Sequence, residues 1–215
     1  MKKVACFLLF IWSSLLLSGC MPKSKIATIT EEKPLPKGGE TKMVNQKKVL
    51  MVLAPLDFQE REYQIPRTIL ENAGFRITVA TKGATTAKAS SGKTISVDQE
   101  LTEVKTDEFE AIVFVGGPGT TIYFNDQTAL SLAKEAYQKN KVIGAICIAP
   151  SILANAGILK DKKATCFSSE VENLQDKGAT YTGDPVTVDG KIVTANGPSA
   201  AEEFGKKILE TLEKS

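Results

Sequence analysis

Val142-Ile-Gly-Ala-Ile-Cys-Ile-Ala-Pro-Ser151 is an unbroken apolar run that ends at a cysteine and passes at once into a helix-like segment. Such a run, Val142–Ile146, has the pattern of a β-strand covered on both faces. Cys147 then stands at a sharp strand-to-helix corner, the position of a nucleophile elbow. Backbone N–H groups at the start of the following helix favour thiolate over thiol, so Cys147 is expected to titrate near or below neutrality.

Outward from this corner the same pattern repeats. Val49–Ala54, Arg76–Ala80 and Ala111–Val115 are further short, nearly continuous apolar runs. Phe58–Ala73, stopped by Gly74, and Thr128–Asn140 are amphipathic stretches between them. Strands alternating with helices predict an α/β domain with a mainly parallel sheet, helices on both faces, and ligands at the carboxyl ends of the strands. After an elbow helix at 151–156, Asp189-Gly190-Lys191 between Val186–Val188 and Ile192–Thr194 predicts a tight hairpin. Ser199 and Glu202 fit a capping box that opens the last helix, and Asp57 with Glu60 fits the start of the first.

The ends of the chain divide it further. Lys2 and Lys3, an apolar stretch to Leu17 and then Leu17-Ser18-Gly19-Cys20 predict a secretory signal over residues 1–19. The order Leu-Ser-Gly-Cys resembles a bacterial lipobox, which implies cleavage before Cys20, lipidation of Cys20 and a domain held in the cell envelope outside the cytoplasm. The alternative is an ordinary signal peptide cut nearby. Residues 20–46 are polar and rich in Lys, Pro and Gly, as a flexible tether would be. Residues 47–215 are enough for one domain.

The charge excess belongs to the signal. The whole chain has 27 basic and 25 acidic residues, and residues 1–19 carry two lysines and no acid, so the remainder is balanced and gives no support for nucleic-acid binding. Only Cys147 and Cys166 lie in the folded part, which is no disulfide framework. There is no histidine, which removes every Cys-His or Ser-His-Asp mechanism. Two separated thiols are also a poor ligand set, so no metal and no cofactor is expected.

Glu62 falls on the apolar stripe of the first helix, with Phe58, Ile65 and Ile69, opposite Glu60, Gln64, Arg67 and Glu71. A carboxylate on a core face is costly, and its pKa should rise toward a protonated, hydrogen-bond-donating form. The plainer reading puts Glu62 at the stripe's edge, reaching water. Val115-Gly-Gly-Pro-Gly119 follows a buried strand at the same sheet edge as the elbow, and its backbone, with the N–H of Ile148, offers an oxyanion hole. It lacks the lysine-hydroxyl pair of a phosphate loop and the dinucleotide spacing. Cys166 reads either as a small core residue or as a resolving thiol for Cys147.

Together these blocks resemble the DJ-1/PfpI superfamily, which includes Parkinsonism-associated deglycases, glyoxalase III enzymes and PfpI-type proteases. The resemblance covers residues 47–215 and rests on 49–54, Glu62 four residues before Pro66, Ala73-Gly74, the loop at 115–119, Ala-Ile-Cys-Ile-Ala-Pro at 145–150 and Asp-Gly-Lys-Ile-Val-Thr-Ala-Asn-Gly-Pro at 189–198. It implies a flavodoxin-like (class I glutamine amidotransferase-like) sandwich, dimeric, with Cys147 as reactive thiol, a protonated Glu62 as its partner, and Gly117 and Ile148 as backbone donors. Ile148 stands where PfpI-type members have histidine, and Cys166 or Phe167 stands where deglycase-type members often have one. The activity implied is cofactor-free chemistry on small reactive aldehydes or glycated substrates. The other readings are a thiol oxidation sensor or protective chaperone, and an inactive relative of the peptidases.

Overall fold

The computed structural model describes residues 46–215; the expected signal peptide, Cys20 and nearly all of the expected tether lie outside them. Along the chain run β1 (Lys48–Val52), β2 (Leu56–Phe58), α1 (Glu60–Asn72), β3 (Arg76–Thr81), β4 (Thr86–Ala89), β5 (Thr94–Ser96) and β6 (Gln99–Glu100). They are followed by β7 (Ala111–Phe114), α2 (Gln127–Gln138), β8 (Val142–Ile146), α3 (Pro150–Asn155), β9 (Lys163–Ala164) and α4 (Val171–Asp176). The chain closes with β10 (Thr180–Tyr181), β11 (Val186–Asp189), β12 (Ile192–Ala195) and α5 (Ala201–Glu213).

Seven strands form the central sheet in the order β11-β12-β8-β7-β1-β3-β6. All its pairs are parallel except β11 with β12, the predicted hairpin, whose register sets Asp189 against Ile192. β1, β7 and β8 are buried almost end to end because helix pairs cover the sheet. This is the expected flavodoxin-like α/β sandwich. Gly144 in β8 lets α5 lie close, since a Cβ there would sit 2.9 Å from Ile208 and 3.0 Å from Phe204. From β1 the chain moves to β3 on one side and later to β7 on the other, so the crevice beyond β1, β7 and β8 is a topological switch point.

The capping expectations are corrected. α1 starts at Glu60 and is capped by the Gln59 side chain on the Arg61 N–H. Gly116 O accepts from the Gln59 N–H at 2.8 Å, and Asp57, at a φ of 54°, lies ahead of the Gln59 cap and outside the helix. Glu60 instead accepts from Ser91 and pairs with Lys93. The last helix opens through a short 3-10 turn at Pro198–Ala200 and has no side-chain cap; Glu202 pairs with Lys206.

The core stripe of α1 is rotated from the expected one: Glu62, Tyr63, Pro66 and Leu70 are buried, while Ile65 and Ile69 are half-buried. The rotation follows from α5, which crosses this helix so closely that a Cβ at Gly205 would stand 2.9 Å from the Pro66 Cα and 2.8 Å from Ile69 Cδ1. Because Pro66 backbone cannot easily retreat, Gly205→Ala is expected to lower unfolding free energy by about 1 kcal/mol, overpacking outweighing the gain in helix propensity. Urea denaturation measures it; a variant as stable as wild type would mean the two helices separate freely.

Candidate active site

Three segments meet in the crevice. β8 delivers Cys147, which takes a φ of 65°, a conformation that costs a non-glycine residue about 1–3 kcal/mol and persists only when the surroundings impose it. They do so through both of its backbone groups: the Cys147 N–H donates to Ala195 O at 2.8 Å, and Cys147 O accepts from the Phe167 N–H at 2.8 Å. β7 delivers the glycine loop. α1 delivers Glu62, which is completely buried, so the reading that placed it at a wet edge does not hold.

Gly116 is the spacer between the two side chains, and composition alone did not single it out from its neighbours. A Cβ on it would lie 2.5 Å from Glu62 Oε2, 2.6 Å from Cys147 Cβ and 2.7 Å from Ile146 O. Gly117 has a φ of 111°, and a Cβ there would strike the backbone of residues 57–59. Only a glycine pair lets the loop pass between α1 and the elbow. The signal was present as Gly-Gly directly after a buried strand.

Burial drives the chemistry of the pair. Neither Glu62 oxygen reaches a partner in full hydrogen-bond geometry, and desolvation pushes the carboxyl pKa up to about 8, against the weaker pull of the Cys147 thiol and the Gly116 N–H. Glu62 is therefore protonated at neutral pH. The Cys147 thiol, 9% exposed, is pushed up to about 12 by burial first and by a charged Glu62 second, while the N–H groups of Gly117 and Ile148 pull it down. The elbow alone thus does not produce a thiol that ionises near neutrality, contrary to the expectation from its helix start. Protonation of Glu62 removes the opposing charge and turns the same contact into an O–H donor, so when the pair gives up one of its two protons the form with a neutral Glu62 facing a Cys147 thiolate becomes accessible.

Ile148 is half-buried and Gly117 buried, both against the thiol. Cys166 is a free, buried thiol, pushed up to about 12 by burial and then by the charge of Glu170. Phe167 is 44% exposed, lies near Gly197, and occupies the rim beside Cys147 through its backbone hydrogen bond. Ser151 and Glu170, which no motif announced, fasten this rim to α3: Ser151 Oγ donates to Glu170 Oε2 at 2.5 Å, and Ser169 Oγ to Oε1 at 2.7 Å.

A strained cysteine elbow, a buried carboxyl from the first helix and a glycine loop on a flavodoxin-like sheet define a class, and comparison places the chain within it. The model of the DJ-1/PfpI family matches residues 47–211, and the chain belongs to that family. An uncharacterised protein of Methanocaldococcus jannaschii is 40% identical over 171 residues, 78% of this chain and 83% of that one. A glutathione-independent glyoxalase of Caenorhabditis elegans is 32% identical over 171 residues, 80% of this chain and 91% of that one. The crystal structure of a ThiJ/PfpI domain protein from Brachyspira murdochii superposes with a TM-score of 0.77 at 32% identity, covering 78% of this chain and 97% of that one.

The raised Glu62 pKa fixes a pH dependence. The folded carboxyl holds its proton up to about pH 8, whereas the unfolded one releases it near 4.5, so its contribution is fully present below pH 4.5 and is lost as pH rises through 8. Glu62→Gln keeps the shape without the titration. Wild type should therefore lose about 4–5 kcal/mol relative to Glu62→Gln between pH 4.5 and 8.5. Parallel denaturation curves of the two proteins across that range would show that Glu62 is already ionised in the fold.

Proposed function

We propose that this protein is a cofactor-free enzyme acting on small reactive carbonyls, with methylglyoxal as the test substrate. The observation that carries the reading is the fully buried, unpartnered Glu62 carboxyl packed across Gly116 from a strained Cys147. The glyoxalase name of the Caenorhabditis relative supports it.

The Cys147 thiolate adds to the aldehyde carbon, and the carbonyl oxygen takes the Glu62 proton, giving a hemithioacetal. Gly117 and Ile148 N–H groups face the developing charge. Glu62, now a carboxylate, removes the proton from that carbon and passes it to the neighbouring carbonyl carbon through an enediol, leaving a thioester. Water cleaves the thioester, and the proton returns to the pair. One carbon is oxidised and its neighbour reduced, so the sum is 2-oxoaldehyde plus water to 2-hydroxy acid, with no external redox partner. Glu62 performs the proton transfers that a histidine-free chain must assign to another group.

Turnover of methylglyoxal by the chain begun at Met21, with catalase present, should fall at least about a thousandfold in Cys147→Ser and about a hundredfold in Glu62→Gln. An inactive wild type, or a Cys147→Ser variant as fast as wild type, overturns the enzymatic reading. Mass spectrometry after graded peroxide follows the alternative, in which Cys147 is an oxidation sensor and reacts before Cys166.

The lipobox-like Leu17-Ser18-Gly19-Cys20 supports placing this chemistry outside the cytoplasm on a lipid anchor at Cys20, and the family resemblance supports a homodimer. Palmitate labelling of the full chain in a bacterial host should be lost in Cys20→Ser, with the domain released from the membrane fraction. Retention of label in that variant would put the lipid elsewhere or remove it from the account.

A further inference from the structure

We propose that the amino-end edge of the sheet, opposite the Cys147 crevice, is a docking face for an anionic phospholipid surface. Two grooves that share Tyr137 and Gln138 open on this edge, and their lining holds Lys134, Lys141, Lys160, Lys162 and Lys191 against one acid, Asp189. Asp189 is already paired with Lys162. Of the other acids nearby, Asp107 and Glu135 are both taken by Lys139, while among the described residues Glu110, just before β7, and Asp161, beside Lys160, stand outside any ion pair. Among the described residues Lys134, Lys141, Lys160 and Lys191 form no ion pair, and Lys191 gives a hydrogen bond only to Asn140 O. Four lysines outside any ion pair, in excess over the two unpaired acids beside them, thus sit round a tyrosine that is 44% exposed.

The position of the chain entry selects the occupant. Gln46 and Lys47 bring the chain into β1 at this same edge, beside Asp107, which in turn contacts Lys139. Lys141 precedes β8 and Lys191 precedes β12, so the lysines line up along the starts of adjoining parallel strands. The residues that precede the described part join it at this edge, so on the lipid-anchor reading these lysines lie on the side from which the anchoring segment departs. Lysines near an anionic bilayer each favour binding by roughly fivefold, and an amphipathic tyrosine ring suits the headgroup layer. The inference shares its setting with the lipid-anchor reading, but the binding itself needs no anchor.

The test uses the chain begun at Met21, which keeps every described residue and lacks Cys20. It should sediment with vesicles of mixed phosphatidylglycerol and phosphatidylcholine, fail to sediment with phosphatidylcholine alone, and be released by raising salt. The variant Lys134→Gln/Lys141→Gln/Lys160→Gln should lose roughly a hundredfold in partitioning with an unchanged melting temperature and unchanged methylglyoxal turnover. Lys88→Gln/Lys206→Gln, placed elsewhere, should bind as wild type does. Equal binding to neutral vesicles, no binding to anionic ones, or full binding by the triple variant overturns the proposal. Displacement by millimolar inorganic phosphate also overturns it, since the grooves would then be a discrete phosphate site and not a membrane face. A failure here leaves the palmitate result at Cys20 and the activity of Cys147 untouched, because neither is read in this assay.

Discussion

The burial of one carboxyl organises this active site. Glu62 has no water and no fully formed hydrogen bond, so its ionised form is strongly disfavoured and the group stays protonated where an ordinary glutamate would be charged. That neutral carboxyl is what makes the cysteine usable. A charged Glu62 would add to the desolvation that already holds the Cys147 thiol high, and the elbow would then be inert. The reactive arrangement is therefore a property of the pair and of Gly116, whose missing side chain lets the two groups meet.

The arrangement also offers a histidine-free chain, on the proposed function, a route to nucleophilic chemistry. Imidazole normally takes the nucleophile's proton and returns it later. On the proposed mechanism the Glu62 proton moves to the substrate oxygen and comes back, which requires that the acid's pKa lie near the working pH. Burial supplies that match by raising Glu62 from 4.5 to about 8. Ile148, half-buried beside the thiol, keeps the surroundings apolar and preserves the desolvation on which the match depends.

Most of the fold was legible in the chain because buried parallel strands are continuous apolar runs, and 142–146 was readable to the residue. The elements that escaped were the short ones, β2, β4, β5, β6, β9, β10 and α4, whose two to six residues carry no period of their own and are defined by the partners they meet. Helix starts failed for a related reason. Asp57-Glu60 and Ser199-Glu202 have capping chemistry, but a tertiary hydrogen bond from Gln59 to Gly116 and a proline-led 3-10 turn set the true starts. In the site, Cys147 and Glu62 were visible from a corner and a stripe. The pKa of the thiol was not, because helix-start N–H groups are local and desolvation is a property of the assembled core. Ser151 and Glu170 were invisible, since nothing local couples two residues nineteen positions apart.

A parallel sheet separates two kinds of work by geometry. Every strand that enters at one edge leaves at the other, so loops that carry chemistry gather where β1, β7 and β8 end, and the segments that begin those strands gather about five residues away on the opposite side. The chain enters the domain at the beginning edge, so chain entry and the Cys147 elbow lie at opposite ends of the strands. The lysines outside ion pairs lie at the entry end, whereas Asp107 and Glu135 are consumed by Lys139. The crevice has the reverse need: an ionised group near Glu62 would shift the proton balance it depends on, so the lysines are tolerable only because the thickness of the sheet stands between them and the carboxyl.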